Sequence, residues 1–198
     1  MITIYVPDKF VPERTYILDI CFGYFLGLRY EIKVVTEQCD YIIDINNDKQ
    51  LLIRDHFFSH FEDGLSYLRQ ESIPDRTIFS HNPFAPETDI PVIYGNEEME
   101  VSQDKIICGL DIFASSFFML TRWEEYADAS RDNYDRFPAS ASLALKCGFL
   151  HRPVVNEYVE MLWSMLLHLG CNQERKVWKY RLTLTHDIDA PQSREQSL

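Results

Sequence analysis

Tyr30-Glu-Ile-Lys-Val-Val35, Tyr41-Ile-Ile-Asp-Ile45 and Leu51-Leu-Ile-Arg54 are short runs that alternate or are rich in β-branched residues. They read as strands, because a pleated backbone sends successive side chains to opposite faces and branched side chains pack well there. Asn46-Asn47-Asp48 lies between the second and third runs. Asn and Asp tolerate positive φ at low cost, so this turn predicts a hairpin. Upstream, Ile2 to Val6 is a further strand-like run. Pro12 and Glu13 then open a helix that Gly27 should end. Tyr16, Ile17, Ile20, Cys21, Tyr24 and Phe25 cover most of its circumference, so it should pack against a sheet. Strand, helix and hairpin in this order predict an α/β fold, with α+β the other reading. Its framework is a mixed β-sheet with hairpins, packed by helices.

Beyond Arg54 the pattern continues in pieces. His56 to about Gln70 reads as a helix, and the Pro-rich stretch from Pro74 to Pro91 as a loop. A second hairpin should pair either Val92-Ile-Tyr94 or Glu98-Met-Glu-Val101 with Lys105-Ile-Ile-Cys108. Asp111 can cap a helix from Ile112 to Tyr126, in which Phe113, Phe117 and Leu120 follow the helical period. Residues 127–138 are polar and loop-like. Pro153 starts an amphipathic helix with Val155, Tyr158, Val159, Leu162, Leu166 and Leu169 on one face, and Gly170 ends it. Val177 to Leu184 reads as a last strand, running into Thr185-His-Asp-Ile-Asp189. No internal repeat is visible.

Composition excludes several classes. With 198 residues and 46% hydrophobic content, the chain can bury a sizeable core without staples. Its 19 basic and 31 acidic residues leave a charge of −12, of which residues 61–104 carry −8. Nucleic acid and anionic membranes need clustered Lys and Arg, and no such cluster is present, so neither is an expected partner. Cys21, Cys39, Cys108, Cys147 and Cys171 are odd in number and lack metal-ligand spacing, which suits reduced core cysteines. Met1-Ile-Thr-Ile-Tyr-Val-Pro7 has none of the parts of an export signal, and Tyr16 to Leu28 is too short and too polar at Asp19 to span a bilayer. The expectation is a cytoplasmic protein without membrane insertion. Seven glycines leave little room for a phosphate-binding loop.

Tyr180-Arg-Leu-Thr-Leu-Thr-His-Asp-Ile-Asp189 is where chemistry is most concentrated. A strand ending in Asp-x-Asp delivers two carboxylates to the carboxyl edge of a sheet, where α/β enzymes place their sites. Asp187 and Asp189 would project to the same side and repel unless a cation binds or one is protonated. The structural alternative is that both merely cap turns.

Leu184-Thr-His-Asp-Ile-Asp189 resembles the first motif of the polysaccharide deacetylases, the family that shares the chitooligosaccharide-deacetylase catalytic domain. Asp111-Ile-Phe-Ala-Ser-Ser-Phe-Phe-Met-Leu-Thr-Arg-Trp-Glu-Glu-Tyr126, Asp135-Arg-Phe137 and Gly148-Phe-Leu-His-Arg-Pro-Val-Val-Asn-Glu-Tyr158 resemble the uncharacterised N-terminal domain of a bacterial subgroup of that family. The resemblance implies an accessory domain over residues 1–178. It also implies the start of a truncated catalytic barrel, its first strand, over 179–198. Asp187 would be the general base and Asp189 a metal ligand in hydrolysis of a sugar acetamide. The implied cofactor of the complete enzyme is a divalent metal, zinc first, held only weakly by this chain. The family completes its site with a downstream His-x-x-x-His pair, and no His follows Asp189 here. The implied partner, an acetylated polysaccharide or oligosaccharide, would bind through that missing catalytic domain. Ile188 between the aspartates departs from the family's commoner adjacent pair.

Two other readings stand beside this one. The chain could be a non-catalytic carbohydrate-binding or domain-docking module, or Asp187-Ile-Asp189 could belong to a sugar-nucleotide transferase. His56-Phe-Phe-Ser-His60 has metal-pair spacing but precedes the motif and sits among Phe57, Phe58 and Phe61, which favours a structural role. Arg122, Glu124, Glu125 and Arg136, with Trp123, could line a sugar groove or dock another domain. As structure, they would be a helix-surface ion pair and a core indole.

Overall fold

Ile2, Ile4 and Val6 are buried while Thr3 and Tyr5 between them are half-buried, and this period of two makes β1 (Ile2–Pro7). The computed structural model describes residues 1–36, 40–45, 49–62 and 64–185. The chain leaves β1 into α1 (Val11–Leu18), whose second residue is Pro12, and α1 widens without a break into π-helical turns over Asp19–Leu26. Gly27 closes them in the left-handed region with φ 67°. The expected helix, its proline start and its glycine stop are all present.

β2 (Tyr30–Val35) returns parallel to β1, and β3 (Tyr41–Ile45) lies antiparallel on the other side of β1. β4 (Lys49–Ile53) pairs antiparallel with β3 in the expected hairpin, whose turn, Asn46 to Asp48, lies outside the described residues. β5 (Ile78–Ser80) and β6 (Ile90–Val92) form a separate two-stranded sheet. β7 (Gly95–Val101) and β8 (Lys105–Leu110) complete the main sheet in the order β2-β1-β3-β4-β8-β7. β8 runs parallel to β4.

Register explains the core. Ile32, Ile4, Ile43, Leu51 and Ile106 are successive cross-strand partners, and all but Ile32 are fully buried. Each such side chain withdrawn from water contributes about 1.5–3 kcal/mol. α2 (Ile112–Thr121) packs between α1 and α5 (Val154–His168). Its Phe113 ring lies 4.7 Å from that of Tyr41 at the start of β3. α3 (Glu124–Ala127) and α4 (Leu143–Lys146) are short turns between them. The architecture is mixed α/β, as the sequence predicts. Among the described residues, no helix is long and apolar enough to cross a membrane.

Four local expectations need correction. The described residues of 56–70 form no α-helix, only 3₁₀ turns at Phe58–His60 and from Gln70 to Ser72. The Asp55 carboxylate accepts the N–H groups of Phe57 and Ser59 at 3.1 and 3.3 Å, which turns the backbone so that adjacent Phe57 and Phe58 both enter the core. The predicted loop from Pro74 to Pro91 contains β5 and most of β6, so the hairpin partner of β8 is the Glu98–Val101 alternative. The helix expected from Ile112 to Tyr126 breaks at Arg122, which adopts φ 52° and sends Trp123 inward. Residues 177–184 form no strand, and Val177, Tyr180, Leu182 and Leu184 are exposed. A strand needs a neighbour's N–H and C=O groups, and this run pairs with none of the described strands.

Gly95 carries a strict requirement at the start of β7. Its φ of 108° favours glycine, and a Cβ there would lie 2.2 Å from the Gly109 carbonyl oxygen. Gly95→Ala is expected to lower unfolding free energy by about 2 kcal/mol or more, read from urea denaturation; an unchanged midpoint would contradict this packing.

Candidate functional site

Because β4 and β8 are parallel neighbours, the residues just beyond their carboxyl ends, Asp55 and Asp111, come together at one edge of the sheet. Arg14 of α1 and Tyr41 of β3 meet them there. Arg14 is fully buried, with Nη2 2.5 Å from Asp55 Oδ2 and Nε donating to the Lys9 carbonyl at 2.7 Å. Its guanidinium carbon lies 4.8 Å from the Tyr41 ring centroid and 5.1 Å from that of Phe58. Asp111 accepts from the backbone N–H of Ala114 and of His56, both at 2.9 Å, so it caps α2 and fastens the chain after β4. Among the described residues, Arg14 Nη1 and the Tyr41 hydroxyl have no hydrogen-bond partner.

Two carboxylates face one guanidinium in this interior. Burial pushes the Asp111 carboxyl up to about 8, and the neighbouring Asp55 charge adds to the rise, against its two backbone donors and Arg14. Burial also raises the Tyr41 phenol well above its usual range. The cluster occupies the edge where open α/β sheets bind ligands. Arg14, Tyr41 and Asp111 nevertheless have no exposed surface, so nothing from solution reaches it in this conformation. It is an internal ionic joint.

The open site lies elsewhere. The π-helical turns, α5 and the segment after α5 enclose a groove of about 510 Å³, within the roughly 300–1,000 Å³ of small-molecule sites. Tyr24 and Phe25 form one wall, Asn156 and Glu160 another, and Arg175 and Trp178 the third. The rings of Tyr24 and Trp178 stand 5.1 Å apart, and the Lys176 ammonium lies 3.7 Å from the Trp178 ring centroid. Arg175 pairs with Glu160 at 2.7 Å. The segment is fastened by Lys176 N–H to the Leu26 carbonyl at 2.7 Å and by Trp178 Nε1–H to the Phe25 carbonyl at 3.2 Å. The Gln173 side chain bonds both backbone groups of Arg29, at 2.8 and 2.9 Å.

The sequence model of DUF7033, a family of unknown function, matches residues 2–170. The chain belongs to this family. No curated protein and no solved structure matches the chain. The DUF7033 match takes in the sheet, the ionic joint and two walls of the groove. Arg175, Lys176 and Trp178 lie beyond it.

Asp187 and Asp189 fall outside the described residues. Among the described residues, no group of three or more His, Cys, Asp and Glu could hold a metal ion. His56 and His60 sit on an irregular turn rather than one helical face; His56 Nε2 is buried without a partner among the described residues, and His60 is exposed. Trp123 is buried against Phe57 and Phe118, and Glu124 is buried with its carboxylate accepting the Leu143 N–H at 3.0 Å. Arg122 pairs with Glu125 on the surface, whereas Arg136 pairs with Asp132. The structure therefore splits this set: Trp123 and Glu124 are buried, while Arg122 and Arg136 are in two separate surface ion pairs. Arg14 and Asp55 are not among the candidate residues that the sequence alone suggests. The available signal was Arg14 preceding Ile17, Leu18 and Cys21 by three, four and seven residues, a cation on the helix's apolar stripe.

Removing one member of a buried pair strands the other charge. Arg14→Met should cost about 3–5 kcal/mol in urea denaturation, and a loss below 1 kcal/mol would show that the joint is dispensable. Asp111 gives a pH signature. Its folded value lies above the ordinary 3.8, so the folded state holds a proton that the unfolded chain has released. Stability should therefore fall as pH rises from about 4 to about 8. Asp111→Asn should flatten that slope in thermal melts across this range, and an unchanged slope would place the titration elsewhere.

Proposed function

We propose that this chain serves as the N-terminal accessory domain of a metal-dependent carbohydrate N-deacetylase whose catalytic domain begins near residue 179. The observation that carries the reading is the segment just beyond the DUF7033 match. Residues 177–184 have a strand's alternation, pair with no described strand, and hold Tyr180, Leu182 and Leu184 at 87, 69 and 80% exposure. Burying three such side chains would contribute several kcal/mol, at about 1.5–3 kcal/mol each. A sheet in a following domain supplies both the missing backbone partners and that burial. Thr185-His-Asp-Ile-Asp189, with its resemblance to the deacetylase first motif, follows directly.

In this reading Asp187 takes the proton of the attacking water and Asp189 is one of the metal's ligands. A divalent metal bound there would lower the pKa of that water and polarise the acetamide carbonyl. One carboxylate ligand is too few for a four-coordinate zinc site, so the histidines that complete it would come from later in the catalytic domain.

A polypeptide carrying this chain followed by a domain with a His-x-x-x-His pair should release acetate from N-acetylated oligosaccharides when loaded with zinc. Asp187→Asn should lower kcat by about 10²- to 10⁴-fold. The 198-residue chain alone should retain well under one equivalent of zinc after dialysis. Stoichiometric zinc in the short chain, or full activity in the Asp187→Asn protein, would sink the proposal.

A further inference from the structure

The groove beside the π-helical turns carries two kinds of wall that one ligand class matches. Tyr24 and Trp178 are 53 and 52% exposed, so ring surface is open to solvent although Lys176 covers part of the Trp178 face. Planar polar groups also line the groove: the Asn156 amide, the Glu160 carboxylate and the Arg175 guanidinium. A pyranose has C–H-rich faces that lie on aromatic rings and a rim of hydroxyls that both donate and accept hydrogen bonds. Amide, carboxylate and guanidinium offer acceptors and donors in fixed planes, suited to such a rim. A phosphorylated ligand fits less well, because Arg175 is already paired with Glu160 at 2.7 Å and the Lys176 ammonium lies over the rings.

We propose that this groove binds an uncharged oligosaccharide, with Tyr24 and Trp178 as the stacking platform and Asn156, Glu160 and Arg175 as its polar contacts. The further choice of an N-acetylated sugar rests on the deacetylase reading; saccharide binding itself does not. Part of the platform is fastened before a ligand arrives. Trp178 is held by its bond to the Phe25 carbonyl and Arg175 by its pair with Glu160, so little side-chain freedom is left to lose on binding. Trp178 is also nine residues before Asp187 in the chain, which places the groove next to the proposed catalytic motif in sequence.

The test uses the 198-residue chain, titrated calorimetrically with the tetramers of N-acetylglucosamine, glucosamine and glucose. The N-acetylglucosamine tetramer should bind and change tryptophan emission. Trp178→Ala should weaken it at least tenfold, Trp178→Phe should keep part of the affinity, and Asn156→Ala should weaken it less. Tyr134→Ala, on the exposed loop, should leave it unchanged. Circular dichroism separates lost binding from lost folding, and Asn156→Ala serves if the Trp178 variants do not fold. No heat with any tetramer at millimolar concentration, or binding indifferent to both Trp178→Ala and Asn156→Ala, overturns the groove. Equal binding of the glucose tetramer overturns the N-acetyl preference. Saccharide binding here without acetate release by the longer polypeptide overturns the deacetylase reading and leaves the groove standing; acetate release without binding here does the reverse.

Discussion

A guanidinium with no exposed atom must be neutralised inside the protein, and the pairing of Arg14 with Asp55 is the constraint around which the rest is arranged. Withdrawing both charges from water costs several kcal/mol per ion unless geometry and further hydrogen bonds offset it. Here the Lys9 carbonyl takes a second guanidinium N–H, and two aromatic rings cover its faces. Asp55 in turn accepts the N–H groups of Phe57 and Ser59, so the same carboxylate that answers Arg14 sets the turn after β4. Asp111 fastens that turn to the start of α2 through the His56 N–H. One buried joint thus connects the β1–α1 crossover, the end of β4 and the end of β8. These pieces are far apart in sequence, and no local propensity would align them.

The parts of the fold that were legible in the sequence are those whose cause is local. Alternation wrote β1, β3, β4 and β8, and Pro12, Gly27, Asp111 and Gly170 marked helix ends by chemistry that acts within one turn. The failures share the opposite cause. Residues 56–70 have helix-compatible spacing, but Asp55 and the burial of Phe57, Phe58 and Tyr67 in one aromatic cluster outweigh a weak propensity. Arg122 ends a helix in a left-handed conformation without being glycine, because Trp123 gains a core position among Phe57, Phe118 and Tyr67. No window around residue 122 contains those partners.

The candidate sites divide in the same way. Asp187 and Asp189 stood out because their motif is contiguous. The groove could not stand out, since Tyr24 and Trp178 meet across more than 150 residues of chain. Trp123, beside charged residues, is open on sequence to either a sugar-stacking or a core role; its ring is core, and it is Trp178's that is half open. Exposure, which decides whether an aromatic ring can receive a ligand, is a property of the whole fold.

The widened end of α1 explains why the groove has a floor at all. A helix's last carbonyls need donors, and here the Leu26 and Phe25 carbonyls receive theirs from Lys176 and Trp178 rather than from the next turn. That approach is close: a Cβ on Gly27 would lie 2.7 Å from Lys176 Cβ, and φ there is already 67°. Glycine at 27 therefore serves both the left-handed cap and the passage of the segment. Gln173, Lys176 and Trp178, beyond the DUF7033 match, are in consequence bound to the domain. A family member that kept the sheet and the Arg14–Asp55 joint but changed residues 175–178 would retain the fold and lose one wall of the groove. The fold and the groove are separable, because the first depends on a buried charge pair and the second on a segment held by the π-helical carbonyls, the Arg29 backbone and Glu160.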